Sequence, residues 1–508
     1  YKICSFDIEA SSSHGDFPVP VKSYKKLATN IIDIFNNMDD DIAKMESIKF
    51  KNMIKNMIFA AFKPDEYYAE DIEQVFPIFM PKDKQLETIF NRFIASVIKL
   101  NDGDDLDKTI LTIEKSFQSF NDDDDNNEAI KYSSNNVEID NVTAEQIIKH
   151  KKMDRETKIN YLTILLGRKG SFPKLEGDKV TFIGSTFMKY GEQMPYKNTC
   201  IALGECDNVE NADPIIVCKT EKDVLLEWTK LIQKEDPDII IGYNIFGFDY
   251  LFMFERAKEN VCEEEFLKLS RNKDEVCGND RDGKWAIEET SIVIASGQHD
   301  LHFIKMEGRL QVDLYNYFRR DYNLTSYKLD YVAGNFIGDK VKTIATDEIT
   351  EKTTITTKNM TGLLVGSYIN FEEIGHSSEY YQEGRKFIVI ELLSNGFVIN
   401  GIAEPDMETK TVRWGLAKDD VTPQDIFRMT NEGAKSKSVI AKYCIQDCNL
   451  VHYLMNKIDV ITGFIEMSKI CSVPMNFLVM RGQGIKLTSY IAKKCREKNT
   501  LMPDIEKG

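Results

Sequence analysis

The chain opens on an apolar run, Tyr1-Lys2-Ile3-Cys4-Ser5-Phe6-Asp7-Ile8-Glu9, whose alternating β-branched and aromatic residues mark a buried strand. A turn-rich run from Ser11 to Pro20 ends it. Between about residues 21 and 172 the period lengthens to that of helices, over Tyr24 to Ile34, Lys84 to Leu100 and Thr143 to Leu166. Within that stretch, the acidic run Asn121 to Asn127 is too polar to bury a core and reads as a disordered loop. Strand patterning returns over Val180–Met188, Asn198–Leu203 and Ile215–Lys219, which together suggest an antiparallel meander. A helix capped by Thr220, with Asp223 three residues on, follows; Val224, Trp228, Leu231 and Ile232 form its apolar face. Asp238 to Asn244 reads as a short central strand buried on both faces. Gly308 to Phe336 reads as two helical pieces on either side of Ser326-Tyr327-Lys328-Leu329. Residues 339–413 alternate in the manner of a small β-barrel or sandwich, as in Phe387-Ile388-Val389-Ile390. Helical signal resumes near Pro423 and continues almost to the end, with breaks near Pro474 and Arg481-Gly482.

Strands and helices in this order predict an α/β fold built on a mixed sheet. At 508 residues the chain is too long for one core. Its 42% hydrophobic and 29% charged residues are ordinary for a globular protein, and no apolar run reaches the roughly 18 residues of a membrane span. The first line lacks the basic flank and continuous apolar core of a signal peptide. It also begins mid-strand without Met, as a piece of a longer protein would. Ten scattered cysteines without a C-x-x-C pattern predict reduced thiols, an intracellular setting and no zinc site; Cys444 and Cys448 merely share a helix face. A net charge of −17 excludes a uniformly basic nucleic-acid binder but leaves local basic patches open.

Four carboxylates stand out because each is set in apolar sequence. Asp7 and Glu9 lie two apart in a strand and so project from the same face. Two buried anions that close need neutralising, and a hard divalent cation does this with oxygen ligands. Solvated carboxylates on an edge strand are the alternative. Asp249, in Asn244-Ile245-Phe246-Gly247-Phe248-Asp249, falls where a strand ends and a helix begins, a common place for functional groups in α/β sheets. A helix-terminal acid is its plain alternative. Asp447 lies in the apolar stripe Ile440, Cys444, Val451, Leu454, Ile458, one turn beyond Tyr443. A buried salt bridge would equally account for Asp447 taken alone. Together, the four suit two divalent cations about 4 Å apart. Tyr443 is too weak an acid to serve as base at neutral pH and is better suited to orienting a water.

These motifs resemble a known family. Phe6-Asp7-Ile8-Glu9, Asn244-x3-Phe248-Asp249 and Tyr443-x3-Asp447 resemble the Exo I, Exo II and Exo III motifs of the 3′→5′ proofreading exonuclease of family B DNA polymerases. That exonuclease is of the DEDDy group, with a ribonuclease H-like fold. Asp236 to Asn244, Gly308 to Leu314, Tyr322 to Leu329 and Val473-Pro474-x6-Arg481-Gly482-Gln483-Gly484-Ile485-Lys486 are similar in order and spacing to delta-type replicative polymerases. The likeness spans roughly half to two-thirds of the chain, and its long insertions look more like those of large DNA viruses. Runs resembling the polymerase motifs S-L-Y-P-S and Y-G-D-T-D-S are absent from the sequence.

The resemblance implies a layout of six segments. Residues 1–20 are the first strand and its exit, 21–172 a helical insertion with the acidic loop, and 173–338 the exonuclease body with Exo II. Residues 339–413 are a β-rich insertion, 414–462 carry Exo III, and 463–508 lead towards a palm. It implies two-metal hydrolysis, with Mg²⁺ or Mn²⁺ held by Asp7, Glu9, Asp249 and Asp447, and Tyr443 on the water. DNA is the implied partner, as a single-stranded 3′ end and a primer-template duplex, along with the rest of a polymerase chain. A sliding clamp stays open as a further partner, and no membrane is expected. The implied location is inside the cell where DNA is replicated, in the nucleus or at a cytoplasmic viral site. Asn244 is implied to hydrogen-bond the strand or the water network. Phe248 and Tyr243 offer stacking surfaces, although core packing is the commoner use of such rings. Lys486, Lys493, Lys494, Arg496 and Lys498 offer phosphate contacts or simply a solvated helix face. A stand-alone DEDDy exonuclease and a catalytically silent architectural module are the competing readings.

Overall fold

The computed structural model describes residues 1–12, 17–38, 42–98, 142–168, 171–281, 283–294, 297–417 and 421–502. The acidic run 121–127 lies outside them. The chain divides into two compact units, one of residues 16–179 and one of residues 1–15 with 180–508.

The smaller unit is helical: α1 (Lys25–Asn36), α2 (Ser47–Phe62), α3 (Asp83–Ala95), α4 (Ala144–Lys149) and α5 (Arg155–Gly167). Their apolar faces meet in one core that includes Leu27, Ile31, Phe50, Ile54, Leu86, Phe93, Leu162 and Leu166. The pattern over Thr143–Leu166 is two helices rather than one. Thr143 caps α4 with a reciprocal bond to Gln146, and Asp154 restarts the chain by accepting from Thr157 N. The helix predicted over Lys84 to Leu100 stops at Ala95, where Ser96 turns extended; Ile98 then bridges Val142.

The larger unit is organised on a six-stranded mixed sheet: β1 (Lys2–Ser11), β2 (Lys179–Lys189), β3 (Lys197–Leu203), β4 (Ile216–Cys218), β5 (Ile239–Gly242) and, from further along the chain, Leu310–Asp313. Leu310–Asp313 is the tenth strand, after the short hairpins β6–β7 (Asn279–Arg281, Lys284–Ala286) and β8–β9 (Glu288–Ile294, Gly297–Phe303), and is called β10. The spatial order is β10-β5-β1-β2-β3-β4, with β5 parallel to both β1 and β10. Two expectations are corrected here. β2 and β3 pair antiparallel, but β4 runs parallel to β3 and so is not part of a meander. The long link between β3 and β4 is the crossover that a parallel pair requires. The first part of Gly308–Phe336 is β10, followed by α9 (Leu314–Asp321) and α10 (Leu329–Phe336) after the three earlier helices of this unit, α6 (Glu221–Glu235), α7 (Asp249–Glu259) and α8 (Glu263–Phe266). The strand β10 has four residues, three of them buried, too few to show a strand's period.

Beyond α10 come β11 (Gly338–Asp347), β12 (Lys352–Thr357), β13 (Tyr368–Ile374), β14 (Ser378–Tyr380), β15 (Phe387–Leu393), β16 (Gly396–Asn400) and β17 (Thr411–Ala417). Their pairing closes on itself, β13-β15-β16-β12-β11-β17 and back to β13, with β14 added at one end of β13. Phe371, Phe387, Phe397, Ile399 and Trp414 fill the interior, and buried Trp414 Nε1 donates to Thr357 Oγ1 at 3.1 Å. The chain then runs through α11 (Pro423–Glu432), α12 (Ala434–Lys457), α13 (Val460–Cys471), α14 (Met475–Met480) and α15 (Gln483–Glu497). Among the described residues, no helix is long and apolar enough to cross a membrane.

Candidate active site

Three elements converge at the C-terminal ends of β1 and β5. β1 presents Asp7 and Glu9. α7 begins at Asp249, and α12 carries Tyr443, Asp447 and, between them, Cys444. The first contact between segments is a hydrogen bond from Ile8 N to Asp249 Oδ1 at 3.2 Å. Because Ile8 lies between Asp7 and Glu9, this bond sets all three acids at one place. α12 is drawn onto the sheet by Cys444. Its thiol accepts from Gly184 N in β2 at 3.2 Å and donates to the Asp7 carbonyl at 3.4 Å. A Cβ on Gly184 would sit 2.8 Å from that sulfur, so only glycine allows helix and strand to approach this closely.

Burial pushes the Asp7 carboxyl well above the ordinary carboxylate range, and the neighbouring Cys444, Asp249, Glu9 and Asp447 push it further. All four sequence-predicted acids therefore share one electrostatic neighbourhood. Asp249 is also raised, by burial and then by Asp313, against which the amide of Ile8 pulls it down. One ligand atom each from Asp7, Glu9 and Cys444 lie within 4.8 Å of one another. Two carboxylates at that spacing, in a neighbourhood of crowded anions, fit a divalent cation taking oxygen ligands.

The other predicted residues fall as follows. Asn244 lies two residues past β5 in a left-handed conformation, φ 65°, and its carbonyl accepts from Gly247 N and Phe248 N. Phe248 precedes α7 half-buried, with its ring 5.3 Å from that of Phe252. Tyr443 is half-buried one turn before Asp447. Tyr243 is held by a hydrogen bond from its hydroxyl to Tyr327 O and an edge contact with Tyr315. Lys486 is not brought to the acids. Its neighbours are Arg320, Asp321 and Cys471, and burial lowers its pKa. Further along α15, Lys493 donates to Lys469 O and Lys494 pairs with Glu497.

Sequence reasoning missed two residues here. From sequence, Cys444 is one more residue of an apolar helix stripe, and Asp313 is one acid within the Gly308–Leu314 motif. Both partners of Cys444 lie hundreds of residues away and leave no local signature; Asp313 shows locally only as a helix N-cap that accepts from Tyr315 N, while its bonds to Asn244 N and Phe246 N span tens of residues.

Residues 109–332 match the sequence model of DNA polymerase family B, exonuclease domain. That span contains Asn244 to Asp249, while Asp7, Glu9 and Asp447 fall outside it. Similarity to whole proteins covers them. The chain is 44% identical to the DNA polymerase of Phaeocystis pouchetii virus, over 100% of this chain and 50% of that protein. It is 35% identical to the DNA polymerase of Pyramimonas orientalis virus, over 99% of this chain and 38% of that protein. More distantly, it is 27% identical to the DNA polymerase delta catalytic subunit of Oryza sativa subsp. japonica, over 70% of this chain and 24% of that protein. The chain spans half or less of the length of the curated relatives it matches. Motifs, matched domain and a likeness to viral DNA polymerases over the whole of this chain agree, and residues 109–332 are similar to the exonuclease domain of DNA polymerase family B.

Proposed function

We propose that this part of the chain removes nucleotides from a DNA 3′ end, as the proofreading exonuclease of a polymerase that itself copies DNA. The observation that carries the reading is the bond from Ile8 N to Asp249, which joins Exo I to Exo II, in the same charge cluster as Asp447. In this reading Asp7, Glu9, Asp249 and Asp447 hold two divalent cations, Mg²⁺ or Mn²⁺. When bound, the cations supply Lewis acidity at the scissile phosphate and a water of lowered pKa. The chain's own groups do the rest. The four carboxylates fix where positive charge sits, and the apolar floor of Phe6, Ile8 and Phe246 keeps that charge effective by excluding bulk water. The Tyr443 hydroxyl orients the attacking water. Asn244 and Phe248, on the loop that leads into Asp249, hold the terminal nucleotides, by hydrogen bonding and stacking respectively. Lys486, beside Arg320, is suited to a phosphate away from the reacting atoms.

The fold belongs to the same reading. The mixed sheet with β1 and β5 parallel supports a ribonuclease H-like body. The compact unit 16–179 supports an inserted helical module over 21–172, and the closed ring of strands supports a second insertion over 339–413. DNA and the rest of the polymerase are the partners, and the setting is intracellular DNA replication.

A 5′-labelled single strand incubated with Mg²⁺ or with chelator, beside Asp7→Ala/Glu9→Ala, tests this. A ladder shortening from the 3′ end, seen with metal and lost in the variant, is expected. No ladder from the full-length parent polymerase would overturn the reading.

A further inference from the structure

Asp313 closes β10, opposite Gly242 of β5, and is 2% exposed. Its carboxylate accepts four hydrogen bonds. Oδ1 takes Asn244 N at 2.8 Å and Tyr315 N at 2.9 Å, and Oδ2 takes Phe246 N at 3.0 Å and Asn316 Nδ2 at 3.1 Å. All four donors are neutral amides. Two belong to the loop between β5 and α7, and two to the start of α9. One carboxylate thus ties the loop that delivers Asp249 to the neighbouring strand and helix.

That loop needs holding. Asn244 is left-handed, a conformation that a residue other than glycine keeps only where its surroundings hold it. The loop is also folded tightly enough that a Cβ on Gly242 would sit 2.2 Å from Ile245 Cγ2. From Asn244 the order passes on directly. Its carbonyl accepts from Phe248 N at 2.9 Å, Tyr250 N donates to Ile245 O at 3.2 Å, and Asp249, between them, reaches Ile8 N at 3.2 Å. The chemistry of the clamp also requires an acid. An ionised carboxylate only accepts, with about four lone-pair sites for four donors, whereas an asparagine would aim its own NH₂ at two of them.

Resting on the exonuclease reading, we infer that Asp313 is a positioning residue of the active site: it fixes the Asn244–Phe246 loop so that Asp249 holds its metal-binding place against β1. It touches neither substrate nor metal and acts through Asp249. Asp313→Asn is nearly isosteric and tests the acceptor count rather than the volume. The expected result is a roughly tenfold to hundredfold fall in kcat for release from single-stranded DNA. Mn²⁺ binding, followed by electron paramagnetic resonance without DNA, should weaken in the way that Asp249→Asn weakens it. A double variant, Asp249→Asn with Asp313→Asn, should lose no more than Asp249→Asn alone, because both changes remove the same placement. If Asp313→Asn does not fold, Asn316→Ala, which removes one donor, carries the same comparison at a few-fold amplitude.

Unchanged kcat and Mn²⁺ binding in a folded Asp313→Asn, or losses that multiply in the double variant, would overturn the inference and leave the exonuclease reading standing. An unmutated protein that neither binds Mn²⁺ nor shortens DNA would overturn both.

Discussion

The helical unit and the sheet unit solve the problem of burial in opposite ways. The core of residues 16–179 is almost wholly apolar and rich in rings, with Phe35 stacked on Phe50 and Phe62 on Phe172. Among the described residues of this unit, Thr163 and Asp178 are the buried polar side chains, and Lys22 pairs with the latter at 2.6 Å. The sheet unit buries Asp249, Asp313, Asp447, Glu221, Arg256 and His452. Some of these are balanced within the fold. Arg256 meets Glu221 through two hydrogen bonds, at 2.9 and 2.8 Å. The acids at the ends of β1 and β5 instead raise one another's pKa. A fold that tolerates such repulsion at one spot keeps that spot for a ligand, and the ring-filled helical core shows that this chain is able to avoid it elsewhere.

The sharpest way to break this contrast is to remove the repelling acids. On the exonuclease reading, Asp7→Ala with Glu9→Ala removes two of the four proposed metal ligands, so nuclease activity should fall roughly a thousandfold or more. The denaturation midpoint of the metal-free protein should hold or rise. A marked fall would make these acids structural and end the contrast. In the helical unit the expectation reverses. Phe93→Ala removes a fully buried ring packed on Phe90 and Phe172 and should cost about 3–5 kcal/mol in denaturant unfolding. Gly184→Ala probes both properties at once. The added methyl meets Cys444 Sγ at 2.8 Å and the Cys444 carbonyl oxygen at 3.0 Å, so overpacking of about 1–3 kcal/mol should accompany a shift of α12 and a roughly tenfold loss of activity.

The smallest effect concerns pH. Asp313 is raised from 3.8 to about 6, and Asp7 and Asp249 are raised as well. A carboxyl raised on folding contributes stability that is full below its unfolded value and is lost as pH rises through its folded value. His452, buried against Thr186 O and lowered to about 4, has the opposite sign: its contribution is full above 6.5 and lost as pH falls through about 4. Subtracting the Asp7→Ala/Glu9→Ala variant from the unmutated protein cancels the histidine. The variant's advantage in melting temperature without metal should widen from pH 4 upwards, and added Mg²⁺ should narrow it most at the highest pH. A difference independent of pH would show that the carboxyls do not repel one another in the folded chain.

What was legible in the sequence follows from locality. The acids could be read because charge inside an apolar run is conspicuous wherever the chain goes. The cap at Thr220 and the strand at Ile239–Gly242 could be read for the same reason, since their signals lie within a few residues. β10 could not be read, being four residues whose strand character comes from lying beside β5. Nor could the direction of β4, which is decided by a partner rather than by its own residues. α2 shows little periodicity because apolar residues occupy most of its second half, Met57 to Phe62. Cys444 was hidden most deeply, because both of its partners come close only after folding; of Asp313 only the helix cap on Tyr315 N is local, and its hold on Asn244 N and Phe246 N comes with the fold.

The closed ring of strands has one further consequence. Its first and last strands are hydrogen-bonded to each other, Gly338 opposite Gly415, Asp339 opposite Trp414 and Lys340 opposite Arg413. The chain therefore leaves the ring beside the point where it came in. Seen from α10 and α11, the whole ring is a plug in a socket one strand spacing wide. Related chains are free to carry a larger plug, a smaller one or a plain turn there, and a foreign domain whose termini lie side by side is a ready graft for the same socket.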